Sequence, residues 1–278
     1  MFLQTLTQVV VVVAAMIVVS TAAFAGRQRL VETARDWRRR VAGILPIVLV
    51  LVSVLLFNSV ARDLAPEVSW MIGWELTGMI YDIEGDFILW LQAQATPELT
   101  AYFSFIYIYG YVFVLVFPVI AYFLLPNTRP LRELLAAYTL NYTLGLVCYV
   151  FVIAFGPRNM MPELIQALLY DTYPQYQHLT RQVNRNTNVF PSLHASLSTT
   201  VALLAYRTRE VYRGWFWLAA WLAVSVSLST MYLGIHWAID VVAGIGLAWL
   251  AVELSTHLVG RWSVYDGLER RGLWNRSH

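Results

Sequence analysis

Two histidines stand beside residues that would make them reactive. Asp240 follows His236 by four residues, and His194 sits in the run Phe190-Pro191-Ser192-Leu193-His194-Ala195-Ser196. Residues four apart share a helix face. There Asp240 would accept from one imidazole nitrogen of His236, fix its tautomer and leave the other nitrogen as nucleophile or base. A structural reading stands beside it, in which the pair only pins two helices together. His194 is open in a similar way, because Pro191 suits a first turn and Ser192 can cap it, which would leave the histidine incidental to a helix start. That same start offers backbone N–H groups and a positive dipole end where a phosphate would bind.

The elements that must position these residues are apolar. The chain has 278 residues, of which 59% are hydrophobic and 13% charged, and its mean hydropathy is +0.58. These values exclude a soluble domain of any size and point to an all-α polytopic membrane protein. Seven stretches approach the roughly 20 apolar residues that a spanning helix needs: 4–26, 41–61, 101–125, 133–155, 189–206, 214–234 and 237–258. The first is uncharged and lacks a basic n-region, so it reads as a retained span and not a signal peptide. The fifth carries Ser192, His194, Ser196, Ser198, Thr199 and Thr200, and the seventh carries Asp240, Glu253 and His257. Polar groups inside spans face protein or water. The single cysteine, Cys148, lies in an apolar run and excludes an internal disulfide or a cysteine metal cluster.

All 19 basic residues are arginines, and their distribution predicts orientation. Fifteen fall at 27–40, 126–132, 207–213 and in the tail 259–278, against Arg62, Arg158, Arg181 and Arg185 on the other side. The fifteen are expected to be cytoplasmic, in a plasma-membrane protein with its N-terminus outside and its C-terminus inside. Both histidine segments then lie at the outer face. A net charge of +2 implies no nucleic-acid partner. Residues 62–100 hold seven carboxylates with tryptophans at helical spacing, which predicts outer interfacial helices that roof the bundle or form a side entrance for a lipid. The loop 156–188 contains Arg158, Arg181 and Arg185. Arginines placed there against the positive-inside trend suit an anionic ligand, since guanidinium forks match phosphate oxygens.

These motifs resemble those of the type 2 phosphatidic acid phosphatase (PAP2) superfamily, K-x6-R-P, P-S-G-H and S-R-x5-H-x3-D on a six-helix core. Pro191-Ser192-Leu193-His194 matches the second motif with leucine for glycine, and Ser229 through Asp240 matches the third with Thr230 for arginine. If Arg158 is the arginine of the first motif, Phe151 takes the lysine position and Asn159 the proline. Arg181 and Arg185 are then candidates to supply the missing charge. The P-S-L-H form is similar to the inositol phosphorylceramide synthase branch. The resemblance covers roughly 41–258, with residues 1–40 as an added first span and a basic loop.

By this resemblance His236 attacks phosphorus, Asp240 orients it, and His194 protonates the leaving oxygen and then activates the acceptor. Arg158, Arg181, Arg185, Ser192 and Ser229 are the candidate phosphate ligands. No metal or cofactor is implied. The implied substrate is a phospholipid or polyprenyl phosphate, with transfer of a phospho-headgroup to a lipid alcohol as the leading expectation. A PAP2-type lipid or polyprenyl phosphatase is the close alternative. An intramembrane serine protease using Ser192 or Ser196, and a non-catalytic lipid binder or transporter, are the remaining classes.

Overall fold

The computed structural model describes residues 2–180 and 189–259, apart from the side chains of residues 62–66, 178 and 179. The elements in order are α1 (Phe2–Phe24), α2 (Gly26–Ile72), β1 (Trp74–Glu75), α3 (Thr77–Glu84), α4 (Phe87–Gln92) and α5 (Pro97–Phe105). A π-helical turn (Ile106–Gly110) joins α5 to α6 (Tyr111–Phe123). There follow α7 (Arg129–Phe151), β2 (Val152–Ile153), α8 (Pro157–Met160), α9 (Leu168–Thr172), α10 (Gln175–Thr180), α11 (Leu193–Arg207), α12 (Arg213–Tyr232) and α13 (Ala238–Leu258). Among the described residues, six segments are long and apolar enough to cross a bilayer: Phe2–Phe24, Gly26–Ala61, Pro97–Phe123, Arg129–Phe151, Arg213–Tyr232 and Ala238–Leu258. The chain is an all-α polytopic membrane protein.

The structure departs from the sequence reading in two places. First, the fifth expected span is α11, a helix of only 15 residues. At 1.5 Å per residue it reaches about 22 Å, short of a hydrocarbon core of about 30 Å. Nine of its residues are buried, so it is the central post of the bundle, packed against α6, α7, α12 and α13. Its polar residues face protein. Ser196 donates to Asn141 Oδ1, and Asn141 Nδ2 donates to Thr200 Oγ1 at 3.0 Å and to the Ala137 carbonyl at 2.7 Å. Second, the basic segment 27–40 is not a loop but the opening turns of α2. Charged residues give no hydropathy signal even when a helix runs past the apolar zone.

Those opening turns are anchored. Arg40 is buried and donates to the carbonyls of Phe123, at 3.0 Å, and Leu125, a cation placed at the negative end of α6. Arg29 lies 4.7 Å from the centre of the Tyr212 ring. Gly26, with φ +74°, turns the chain between α1 and α2 in a backbone region that side chains disfavour. From there α2 packs along α7, and α1 lies against α6. At the far end the parallel pair Trp74–Glu75 with Val152–Ile153 ties α2 to α7. There α3 and α4 lie over the helix ends, with Met79, Ile83 and Trp90 more than half exposed. Such side chains suit the headgroup level.

Close approach of α11 to its neighbours depends on small residues. Leu193 fills the notch at Gly145, where an added Cβ would lie 2.7 Å from Leu193 Cδ2, and a Cβ on Gly244 would collide with the Ser192 carbonyl oxygen. Gly244→Ala is therefore expected to destabilise the detergent-purified protein by about 1–3 kcal/mol, measured as a lower unfolding temperature. Gly246→Ala, where a Cβ meets nothing within 4 Å, is expected not to lower it.

Candidate active site

The site lies where α11 and α13 begin. Ser192 is fully buried; its oxygen accepts from the Ala195 N–H at 3.3 Å, capping α11, and its own N–H donates to the Asp240 carbonyl at 3.0 Å. A cap of this kind is worth about 1 kcal/mol. It also joins the two helix starts, and so fixes His194 relative to Asp240. Because α11 begins at Leu193, His194 falls in its first turn, where the helix dipole favours an anion.

His236 lies in the five-residue link 233–237 between α12 and α13. Its N–H and that of Ile235 donate to the Thr230 carbonyl at 3.1 and 2.9 Å, folding the link back over the end of α12. Gly234, at φ +67°, makes the reversal. Asp240 has no exposed surface. Its Oδ2 accepts from the Trp237 N–H at 2.8 Å and lies 3.4 Å from His236 Nδ1. One carboxylate oxygen thus accepts from the N–H that starts α13 and meets the imidazole at Nδ1, leaving Nε2 as the nitrogen that the carboxylate does not hold. The ring centre of His194 is 5.7 Å from that of His236, at an angle of 61°. The two sequence segments, more than forty residues apart, meet.

Arg158 comes to the same corner. Its N–H donates to the Gly234 carbonyl at 3.1 Å, and its guanidinium lies over the Tyr170 ring at 4.8 Å, with Nη2 3.4 Å from the tyrosine oxygen. Its Nη1 is buried and makes no hydrogen bond among the described residues. A buried guanidinium N–H without an acceptor is costly unless an anion takes it. Arg181 and Arg185 lie outside the described residues, as does most of the tail 259–278.

Two expected phosphate ligands have other employment. Ser229 donates to the Val226 carbonyl of its own helix at 2.7 Å and is fully buried. Ser192 uses its oxygen as the cap. Nor do the two departures from the family pattern bring new functional groups. Leu193 packs at Gly145, and Thr230 donates to the Ser227 carbonyl at 2.8 Å.

Sequence reasoning missed the aromatic wall. Tyr107 and Tyr111 hold their ring centres 5.1 and 4.6 Å from that of His194. The π-helical turn brings them to one side, an irregularity that often accompanies functional sites. The one available signal was the alternation Tyr107, Tyr109, Tyr111 within an apolar span. At the opposite end of α13, His257 lies 3.2 Å from Glu253, which also meets Arg207 at 3.1 Å, an exposed pairing remote from this site. Among the described residues no group of three or more His, Cys, Asp and Glu side chains could hold a metal ion.

The profile of the PAP2 superfamily matches residues 79–254. The bacitracin transport permease protein BcrC of Bacillus licheniformis is 29% identical over 168 residues, covering 51% of this chain and 81% of that protein. No solved structure matches the chain. The profile takes in α4 to α12, nearly all of α13, both histidine segments and Arg158, and leaves α1 and α2 outside. On that match this chain belongs to the PAP2 superfamily and is a membrane enzyme of its phosphatase class.

Proposed function

We propose that the chain is a lipid phosphate phosphatase of the PAP2 type, acting on a phospholipid or polyprenyl phosphate and using water as acceptor. The carrying observation is the meeting of His194 with the His236–Asp240 pair, ring centres 5.7 Å apart, beside a buried arginine nitrogen that has no acceptor among the described residues. In the first step His236 Nε2 attacks phosphorus as the bond from phosphorus to the lipid oxygen breaks, and His194 gives that oxygen its proton. In the second, His194 takes a proton from water, the new oxygen bonds to phosphorus, and the phosphorus–nitrogen bond breaks to release phosphate. Arg158 neutralises oxygens that gain charge, in a site where low dielectric strengthens the interaction.

Transfer to a lipid alcohol is the weaker reading. It rested on Leu193 and Thr230, and both are accounted for by packing and by the folding of the 230–236 link. The similarity to the inositol phosphorylceramide synthase branch thus loses its structural motive, and the family match carries no such distinction. The Bacillus relative is named for bacitracin transport. A transport role would leave a buried His–Asp pair and a facing histidine without a task, so hydrolysis is favoured. The arginine asymmetry supports a site at the outer face of the plasma membrane, since Arg29 and Arg40 bind at the bundle end opposite the histidines.

Purified protein is expected to release inorganic phosphate from dioctanoyl phosphatidic acid or farnesyl phosphate with no alcohol added. A requirement for an acceptor alcohol would favour transfer instead. His236→Ala should lower turnover by at least about 10³-fold, as loss of a covalent nucleophile does. The corrected ligand set gives a second test. Arg158→Ala should lower kcat/KM by about 10²–10³-fold, whereas Ser229→Ala, whose hydroxyl is bonded within α12, should stay within about threefold of wild type.

A further inference from the structure

The reactive histidine sits on a short link, and a link holds a nucleophile only as well as its two ends are held. A displacement of about 1 Å at a reacting group can cost about 10²-fold in rate. The motif residues fix this link from the inside, through Thr230 and Asp240. From the outside it is gripped by two side chains belonging to no motif.

Gln92, the last residue of α4, donates through Nε2 to the carbonyl of Tyr232, the final residue of α12, at 3.0 Å, and to the Gln166 carbonyl at 3.1 Å. Its Oε1 accepts from the Gln166 N–H at 3.0 Å. Glu84, the last residue of α3, accepts through Oε2 from the Ile239 N–H at 3.1 Å, in the first turn of α13. Its other oxygen is buried without a hydrogen bond among the described residues. Burial pushes the Glu84 carboxyl above the usual carboxylate range; the N–H groups of Ala238 and Ile239 pull it down, and Asp240 adds to the rise.

The two side chains therefore bracket the link, one at the end of α12 and one at the start of α13. The hairpin that carries them is itself seated on the site. Tyr81 meets the Trp237 ring edge-on at 6.1 Å, Trp237 Nε1 donates to the Phe155 carbonyl at 2.8 Å, and Ile88 is fully buried in the same apolar cluster as Trp237 and Ala195. A half-buried carboxylate with one oxygen buried and unpaired among the described residues, holding the N–H next to Asp240, is an expensive way to cap a helix. Its position makes sense if the geometry of the link is what it secures.

We propose that Glu84 and Gln92 form an external clamp that positions His236, with Glu84 holding the first turn of α13 through the Ile239 N–H. Both are positioning residues, acting through backbone and not on substrate. The effect on turnover rests on the hydrolytic reading above, but the effect on the link does not.

Turnover of dioctanoyl phosphatidic acid and amide hydrogen exchange of a peptide spanning 232–241 test it, on the full-length protein in detergent. Glu84→Ala is expected to lower kcat about 10–100-fold with KM within about threefold, and to speed exchange in that peptide. Glu84→Gln retains an oxygen acceptor for the Ile239 N–H and should recover kcat to within about threefold, with wild-type exchange. Gln92→Ala should act like Glu84→Ala, and stands in for it if that variant does not fold. Wild-type kcat and exchange in both alanine variants would overturn the clamp, as would a loss carried by KM alone or a Glu84→Gln variant as impaired as Glu84→Ala. If the wild-type protein releases no phosphate, the hydrolytic reading fails by itself, and the exchange comparison still decides the clamp.

Discussion

The buried carboxylate of Asp240 is the constraint on which the rest depends. An ionised carboxylate without solvent contact is unfavourable by several kcal/mol unless donors surround it. Here the Trp237 N–H and His236 Nδ1 converge on one oxygen, and the Asp240 carbonyl takes the Ser192 N–H. Because those partners belong to the link before α13 and to the residue before α11, the side chain and the carbonyl of one residue together set three pieces of chain in register, with Oδ1 left without a hydrogen bond among the described residues. The meeting of His194 with His236 follows from that registration.

Helix α11 carries the other half of the site and is built unlike its neighbours. It is too short to span the apolar zone and is enclosed on several sides, so its polar residues cost little once paired with Asn141. A rigid, buried post is a good support for a histidine that, in the proposed reaction, hands a proton across a gap of fixed width. Gly145 and Gly244 let the post stand close to α7 and α13, and the tyrosine wall of the π-helical turn closes its remaining side.

Much of this was legible in the sequence, for physical reasons. Long apolar runs report helices directly, and the four-residue spacing of His236 and Asp240 reports their contact, although His236 stands in the link before α13 and not on the helix. The Pro191-Ser192 pair reports a helix start, and the structure realises it as a cap at Ala195. What was illegible depends on contacts between distant segments. Ser229 is a hydroxyl in a motif position, but only the coordinates reveal that it bonds to the Val226 carbonyl. The fifth expected span is longer than α11 because Val189, Phe190 and Pro191 are apolar yet precede the helix, and α2 is longer than its apolar run because arginines mask its first turns. Glu84 and Gln92 carry no local signal, since their contacts at the two ends of the link span 155 and 140 residues. Arg158 is intermediate: its type and loop suggested an anion site, and the buried Nη1 now gives that suggestion a geometric basis.

The account stands or falls on whether His236 itself becomes bonded to phosphorus. Acid-free rapid quenching of the protein during turnover of a lipid phosphate labelled at phosphorus, followed by peptide mass spectrometry, would look for that species. A phosphohistidine at position 236, absent when His236 is replaced by alanine, is the predicted result. Sustained phosphate release with no phosphorylated histidine at any time, or with the label on another residue, would contradict it.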